Sequence, residues 1–281
     1  MNFNTMNNYK HILVVAISLL LSYSLFAQDL VILHTNDSHS QIEPIRTGQG
    51  AGKGGVHRRA EYYKQVKKEH KNVLILDAGD YNQGTPYFNL FKGDLEIELM
   101  NAMGVEVACL GNHEFDNGIE ELTRRLKKAK FKTVCANYDF SGTPIKNEVE
   151  PYVIVNKAGK KIGIVGLLVN LRSLTMAETY NRIKFLDPIE IANKYAKFLK
   201  EEKGCDMVIA LTHLGYSSRY KNAASDITLA KESENIDIIV GGHSHTYLKS
   251  EKTYKNKKGE NVIVLQAGAK GEYVGRLDIS F

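Results

Sequence analysis

The sequence predicts an α/β fold whose strands are not all parallel. Short apolar runs, typical of buried strands, alternate along the chain with longer stretches that have helical spacing. Several of these runs end directly in clusters of Asp, Asn and His. Residues 152–155 and 161–169 alternate around Lys157-Ala-Gly-Lys160, which predicts an antiparallel hairpin. Because ligands of α/β sheets bind at the strand ends, the polar clusters predict a chemical site.

Residues 1–27 have the features of a cleaved secretory signal. Lys10 and His11 precede an apolar run that is short for a membrane span and ends in the small residue Ala27. The alternative is an uncleaved anchor, because Leu25 is a poor residue for the position three before a cleavage site. We expect residues 28–281 to form one mature domain, located in the periplasm or outside the cell.

Charge and cysteine content give no support to nucleic-acid binding or to a disulfide framework. The chain carries a net charge of +5, and removing Lys10 leaves +4, with no block of Lys and Arg. Nucleic-acid binding therefore receives no support from charge. Cys109, Cys135 and Cys205 lie in or beside apolar runs, are odd in number and match no zinc-finger spacing. We expect buried thiols rather than a disulfide framework.

The glycine-rich stretch 47–55 invites a phosphate-loop interpretation, which fails. The spacing from Gly48 to Gly52-Lys53 is one residue short of a Walker motif, and Gly54 stands where Ser or Thr is required. A flexible loop is the better interpretation.

The strands are predicted from apolar runs of four to nine residues. Besides the hairpin, they cover residues 30–35, 72–76, 105–110, 132–136, 206–211, 236–240, 261–266 and 273–281.

The helices are predicted from spacing and from their end signals. Residues 56–70 form a charged surface helix, and residues 85–103 are mostly helical after Pro86, with a stop at Gly104. A helix at 119–130 is basic at its C-terminal end, as the helix dipole favours. Two further helices cover residues 188–203, with Pro in the first turn and Gly204 at the end, and residues 223–232.

The stretch after the 105–110 strand combines three kinds of polar group. Gly111 allows the chain to turn where the strand stops, and Asn112 offers an amide oxygen. His113 offers an imidazole, which the carboxylate of Asp116, three residues on, could orient. After the first strand, Asp37 and His39 are two residues apart, so in an extended chain they would share a face.

Ligand-type side chains recur at the strand ends. They are Asp37, His39, Asp80, Asn112, His213, His243 and His245. Such a mixture of oxygen and nitrogen donors suits Zn²⁺, Mn²⁺ or Fe and is too rich in nitrogen for Mg²⁺ or Ca²⁺. Seven donors are too many for one ion, whereas two ions about 3.5–4 Å apart, bridged by a carboxylate, would use them all. A single His in such a position is more often only hydrogen-bonded, so the prediction depends on the recurrence.

Taken in order, these motifs resemble the calcineurin-like metallophosphoesterase superfamily. The motifs are Asp37-x-His39, Gly79-Asp80, Gly111-Asn-His-Glu114, Thr212-His213 and Gly242-His-x-His245. Within the superfamily, the stretches 33–39, 111–118 and 241–246 are similar to the 5′-nucleotidase/UDP-sugar hydrolase family. The resemblance covers the chain from about Leu30 to its end and implies a four-layer αββα sandwich, two mixed sheets with helices outside.

The resemblance also implies a role for each candidate residue. Asp37, His39 and His245 would hold the first metal, and Asn112, His213 and His243 the second. Asp80 would bridge the two metals. His113 with Asp116 resembles the catalytic dyad of the family.

The activity that the resemblance implies is di-metal phosphoester hydrolysis, most of all the release of phosphate from nucleotides. Alternatives within this class are UDP-sugars, cyclic nucleotides and general phosphomonoesters. Family enzymes usually continue into a second domain that binds the nucleobase, whereas this sequence stops at Phe281. A further alternative is therefore a catalytic half-enzyme that needs a partner chain carrying the substrate domain.

Overall fold

The computed structural model describes residues 29–218 and 223–281. The predicted signal segment lies outside the described residues. Within them, no helix combines the length and the apolar character that a membrane span requires.

The strands form two large mixed sheets and one small one. Their bounds are β1 Leu30–Thr35, β2 Val73–Asp77, β3 Val107–Cys109, β4 Lys132–Val134, β5 Tyr138–Asp139, β6 Tyr152–Lys157, β7 Lys160–Leu168, β8 Lys184–Phe185, β9 Met207–His213, β10 Ile238–Val240, β11 Lys252–Lys255, β12 Asn261–Leu265 and β13 Gly275–Ile279. The first sheet has the order β13-β1-β2-β3-β4 and the second the order β11-β12-β10-β9-β7-β6. Strands β5 and β8 pair separately. The predicted hairpin is confirmed as β6 and β7, which are antiparallel.

The helices are short and lie outside the sheets. They are α1 Val56–Glu69, α2 Pro86–Phe91, α3 Asp94–Met103, α4 Gly118–Leu126, α5 Ala177–Tyr180, α6 Pro188–Lys197 and α7 Asp226–Glu232.

Side-chain alternation along the strands produces the layers. In β1, Leu30 and Ile32 pack in a core between the sheets, which they share with β9 residues such as Ile209. Val31 and Leu33 of the same strand face the opposite way, into a core shared with α1, α3 and α4. A third core lies between the outer face of the second sheet and helices α6 and α7. The predicted four-layer αββα sandwich is confirmed.

Three of the predicted helices differ from those in the structure. The helix predicted over residues 85–103 is two helices, because Lys92 and Gly93 adopt φ angles of 51° and 90°. The helix predicted to reach Lys130 ends at Leu126. The helix that begins at Pro188 passes into a π-helical turn, Phe198–Glu202. The three cysteines are buried and free, as predicted.

Gly166 in β7 allows the two sheets to approach each other closely. An added Cβ there would lie 2.3 Å from the carbonyl carbon and oxygen of Val134, which belong to the backbone and cannot swing away. The approach is fixed by a hydrogen bond of 2.8 Å from the Ala136 N–H to the Gly166 carbonyl.

We expect Gly166→Ala to lower the free energy of unfolding by about 1–3 kcal/mol or more, the usual cost of overpacking. Urea unfolding checks this. Gly142→Ala is the matched control, because a Cβ there meets nothing closer than 4.0 Å. An equal loss in both variants would contradict the argument.

Candidate metal centre

All seven predicted ligand residues lie at the same edge of the molecule, where strands of both sheets end. Asp37 and His39 follow β1, Asp80 follows β2, and Asn112 follows β3. From the second sheet, His213 ends β9, and His243 and His245 follow β10. A groove of about 470 Å³ runs along this edge, and five of these residues line it: His39, Asp80, Asn112, His243 and His245.

Asp37, His39 and His245 form the first cluster. One ligand atom from each lies within 4.8 Å of the others. The Nε2 atoms of His39 and His245 are 2.9 Å apart, and His245 Nε2 is 3.4 Å from Asp37 Oδ1. Two imidazole nitrogens and a carboxylate oxygen therefore converge on one point.

Asp80, His213 and His243 form the second cluster by the same measure. His213 is fully buried and approaches both clusters, with Nε2 2.9 Å from Asp80 Oδ2 and 3.8 Å from Asp37 Oδ1. Its Nδ1 donates to the Ala78 carbonyl at 2.6 Å, which turns Nε2 toward the carboxylates. Within the described residues, Nε2 has no partner aligned for a hydrogen bond.

Asn112 supplies an oxygen to the same groove. Its Oδ1 is buried and has no hydrogen-bond partner within the described part of the chain. A bound water or an ion would satisfy a buried oxygen of this kind.

The predicted dyad is formed. His113 Nδ1 and Asp116 Oδ2 are 2.8 Å apart, and the His113 backbone N–H donates to Asp80 Oδ1 at 2.9 Å. The hydrogen bond to Asp116 raises the pKa of His113, against the lowering effect of burial. His113 also lies in a cluster with His39 and Asp80, so proximity alone would allow it to act as a ligand.

Burial and charge divide the imidazoles into two kinds. Burial lowers the pKa of His243 to about 4, with the positive charge of His213 adding to the effect, and burial also lowers the pKa of His39. Both are therefore neutral at pH 7, the form that binds metals. For His213, burial acts downward but the charge of Asp80 outweighs it and raises the pKa to about 10.

The backbone at the site is strained. Five of the seven residues adopt left-handed φ angles, namely Asp37 at 50°, His39 at 48°, Asp80 at 54°, His243 at 75° and His245 at 53°. Non-glycine residues rarely adopt this region, and such strain is concentrated at functional sites. The sequence argument that Asp37 and His39 share a face of an extended chain is therefore wrong. They converge because the chain is coiled there.

Gly111 and Glu114 have structural roles that the sequence did not reveal. Gly111 is not left-handed; it is needed for space, because a Cβ would lie 2.4 Å from the Asp80 backbone nitrogen. The fully buried Glu114 carboxylate accepts the N–H groups of Gly111, Asp80 and Asn82 at 2.6, 2.9 and 3.2 Å. Glu114 thereby joins the end of β2 to the end of β3.

Sequence reasoning missed two buried amides that hold the ligand loops. Asn36 Nδ2 donates to Asp37 Oδ2 and to the Gly268 carbonyl, both at 2.6 Å. Gln266 contacts the loop that carries His243 and His245. Both amides are polar residues at a strand end, so the signal that identified the ligands could have found them.

The comparisons with known proteins agree with this architecture. A calcineurin-like phosphoesterase family model matches residues 30–247. Snake venom 5′-nucleotidase from Naja atra is 35% identical over 278 residues, covering 90% of this chain and 50% of the relative.

Two solved structures have the same fold. The 5′-nucleotidase precursor from Thermus thermophilus has a TM-score of 0.82 and 37% identity, over 90% of this chain and 51% of that chain. The NAD nucleotidase from Haemophilus influenzae has a TM-score of 0.80 and 32% identity, over 92% and 48%. This chain thus spans about half the length of these relatives. The resemblance predicted from the motifs is confirmed, and the chain belongs to the calcineurin-like phosphoesterase family.

Proposed function

We propose that this protein is a di-metal phosphoester hydrolase of the 5′-nucleotidase type, which releases phosphate from nucleotides. The observation that carries the proposal is the convergence of two ligand clusters beside the His113–Asp116 pair, in one groove. The relatives named 5′-nucleotidase support the substrate class.

The donor set fits a pair of transition metals. The first ion would be held by Asp37, His39 and His245, and the second by Asn112, His213 and His243, with Asp80 bridging. Asn112 Oδ1, which has no hydrogen-bond partner in the described part of the chain, is an atom that a metal would satisfy, and His213 Nε2, whose neighbour at 2.9 Å is Asp80 Oδ2, is a second. Imidazoles with carboxylates suit Zn²⁺, Mn²⁺ or Fe. When bound, such a pair supplies the Lewis acidity that polarises a phosphoryl group and generates a nucleophile from water.

His113 would hold a proton next to the phosphoryl group. Asp116 accepts a hydrogen bond from Nδ1, which leaves Nε2 free to donate to an oxygen that gains negative charge in the transition state. The bond from the His113 backbone to Asp80 fixes the imidazole relative to the proposed bridge.

The groove offers contacts for the rest of the substrate. Lys270 lines the groove and would attract a negatively charged part of the substrate. Leu174 also lines the groove and is an apolar side chain that is 40% exposed. UDP-sugars, cyclic nucleotides and general monoesters are alternative substrates. A second proposal is that a partner chain carrying a substrate domain covers the groove, with Leu174 as its apolar contact.

We also propose that the protein acts outside the cytoplasm, in the periplasm or secreted. The apolar segment 12–27 supports this, as do a relative from snake venom and a neighbour described as a precursor.

We expect the purified protein to bind two transition metals per chain and to lose phosphoester hydrolysis on chelation. The reason is that seven donors exceed the four that one tetrahedral ion uses. Elemental analysis after reconstitution with Mn²⁺ or Zn²⁺ gives the number of metal ions per chain. One ion or none per chain would refute the di-metal proposal.

His113→Asn should retain both metals and lower turnover by about 10²–10⁴-fold, the range of a positioned acid–base group. Asp116→Asn should cost less, because Asp116 only orients the imidazole. Steady-state kinetics and metal content are measured on the same samples. Loss of a metal from His113→Asn would mean that His113 is a ligand.

Because the proposed role of His113 requires its protonated form, we expect the activity to depend on pH. Because the pKa of His113 is raised, activity is retained at pH values below that pKa and falls as the pH rises through it. The Asp116 hydrogen bond is the main cause of the raised pKa, so Asp116→Asn should move this falling limb to lower pH. An unmoved limb in kcat profiles would assign it to another group.

A further inference from the structure

Gln266 lies directly behind the loop of residues 241–246. It follows β12, and only 2% of it is exposed. Its Nε2 donates to the Gly242 carbonyl at 3.0 Å, and its Oε1 accepts from Ser244 Oγ at 2.9 Å and from the Thr246 N–H at 2.5 Å. One amide therefore makes three hydrogen bonds to one loop.

Along this loop, the residues that Gln266 contacts alternate with the proposed metal ligands. Gln266 binds residues 242, 244 and 246, whereas His243 and His245 between them point into the metal centre. The two histidines belong to different clusters, so the loop must present them in different directions. Their left-handed φ angles of 75° and 53° make this conformation costly unless the surroundings impose it.

The residues after Gln266 hold the opposite ligand loop. The Ala267 N–H donates to Asn36 Oδ1 at 2.8 Å, and the Lys270 N–H donates to the Asp37 carbonyl at 2.7 Å. The His243 N–H in turn donates to the Asp37 carboxylate at 3.0 and 3.1 Å. The segment 266–270 thus fixes the two loops that carry the first cluster relative to each other.

We propose that Gln266 is a positioning residue whose amide directs His243 and His245 toward the two different metal ions of the centre. This inference rests on the proposed function. The amide provides, on two separate atoms, the donor for Gly242 and the acceptor for Ser244 and Thr246. Losing residues that orient metal ligands typically costs 10–100-fold in metal affinity.

The test compares the full-length protein with Gln266→Met, which is similar in size but makes none of the three hydrogen bonds. Mn²⁺ affinity is measured by titration calorimetry. The magnetic coupling of the bound pair is measured by electron paramagnetic resonance, which a loss of stability alone does not change. We expect roughly 10–100-fold weaker Mn²⁺ binding at both sites and an altered coupling.

Asn256→Leu is the matched control. Asn256 is also buried, accepts the N–H groups of Lys258 and Glu260, both at 2.9 Å, and donates to the Glu260 carboxylate at 3.0 Å. Asn256 precedes β12 and Gln266 follows β12, so the two residues lie at opposite ends of the same strand. The control should lower the melting temperature and leave Mn²⁺ affinity within about twofold, because it touches no ligand loop.

The outcomes separate the inference from the proposed function. A folded Gln266→Met that binds Mn²⁺ with wild-type affinity and coupling overturns the inference alone. A wild-type protein that binds no metal overturns the proposed function. If Gln266→Met does not fold, Ser244→Ala decides. It removes one of the three bonds to Gln266, together with the contacts of Ser244 Oγ with the Tyr216 N–H and Thr246 Oγ1. Wild-type affinity and coupling in this variant would also overturn the inference.

Discussion

Two buried carboxylates, Asp37 and Asp80, approach the imidazole of His213, and this concentration of charge constrains the whole edge of the molecule. A buried charge is costly unless it is paired or binds an ion. The charge of Asp80 overcomes burial and raises the pKa of His213 to about 10, and a divalent cation bound at Nε2 would replace that proton. The neighbouring imidazoles of His39 and His243 are kept neutral by burial. The result is an electron-rich centre whose lone pairs converge, as a site for divalent cations requires.

The fold supplies what this centre needs. Two sheets packed face to face bring the ends of β1, β2 and β3 next to the ends of β9 and β10. Buried hydrogen bonds then fix the strained loops, from Glu114 on the first sheet, from Gln266 on the second sheet and from Asn36 between the two sheets. Apolar packing therefore determines where the loops meet, and polar groups determine their conformation.

The sequence was sufficient to locate the strand ends and the polar residues that follow them, because each strand end is marked by a change from apolar to polar residues. It predicted the αββα fold through the motifs and identified seven residues that lie together at one edge of the molecule. It did not predict the coiled backbone at Asp37 and His39, since left-handed φ angles in non-glycine residues depend on tertiary contacts. Nor did it predict the space requirement of Gly111 or the break at Lys92 and Gly93, which depend on neighbouring segments.

The proposed di-metal centre is tested most directly by anomalous diffraction from crystals of the protein reconstituted with Mn²⁺, recorded above and below the manganese edge. We expect two peaks about 3.5–4 Å apart. One should lie among Asp37, His39 and His245, and the other among Asn112, His213 and His243, with Asp80 between them. A single peak, or two peaks that do not share Asp80, would show that the protein has no carboxylate-bridged pair of metals at this edge.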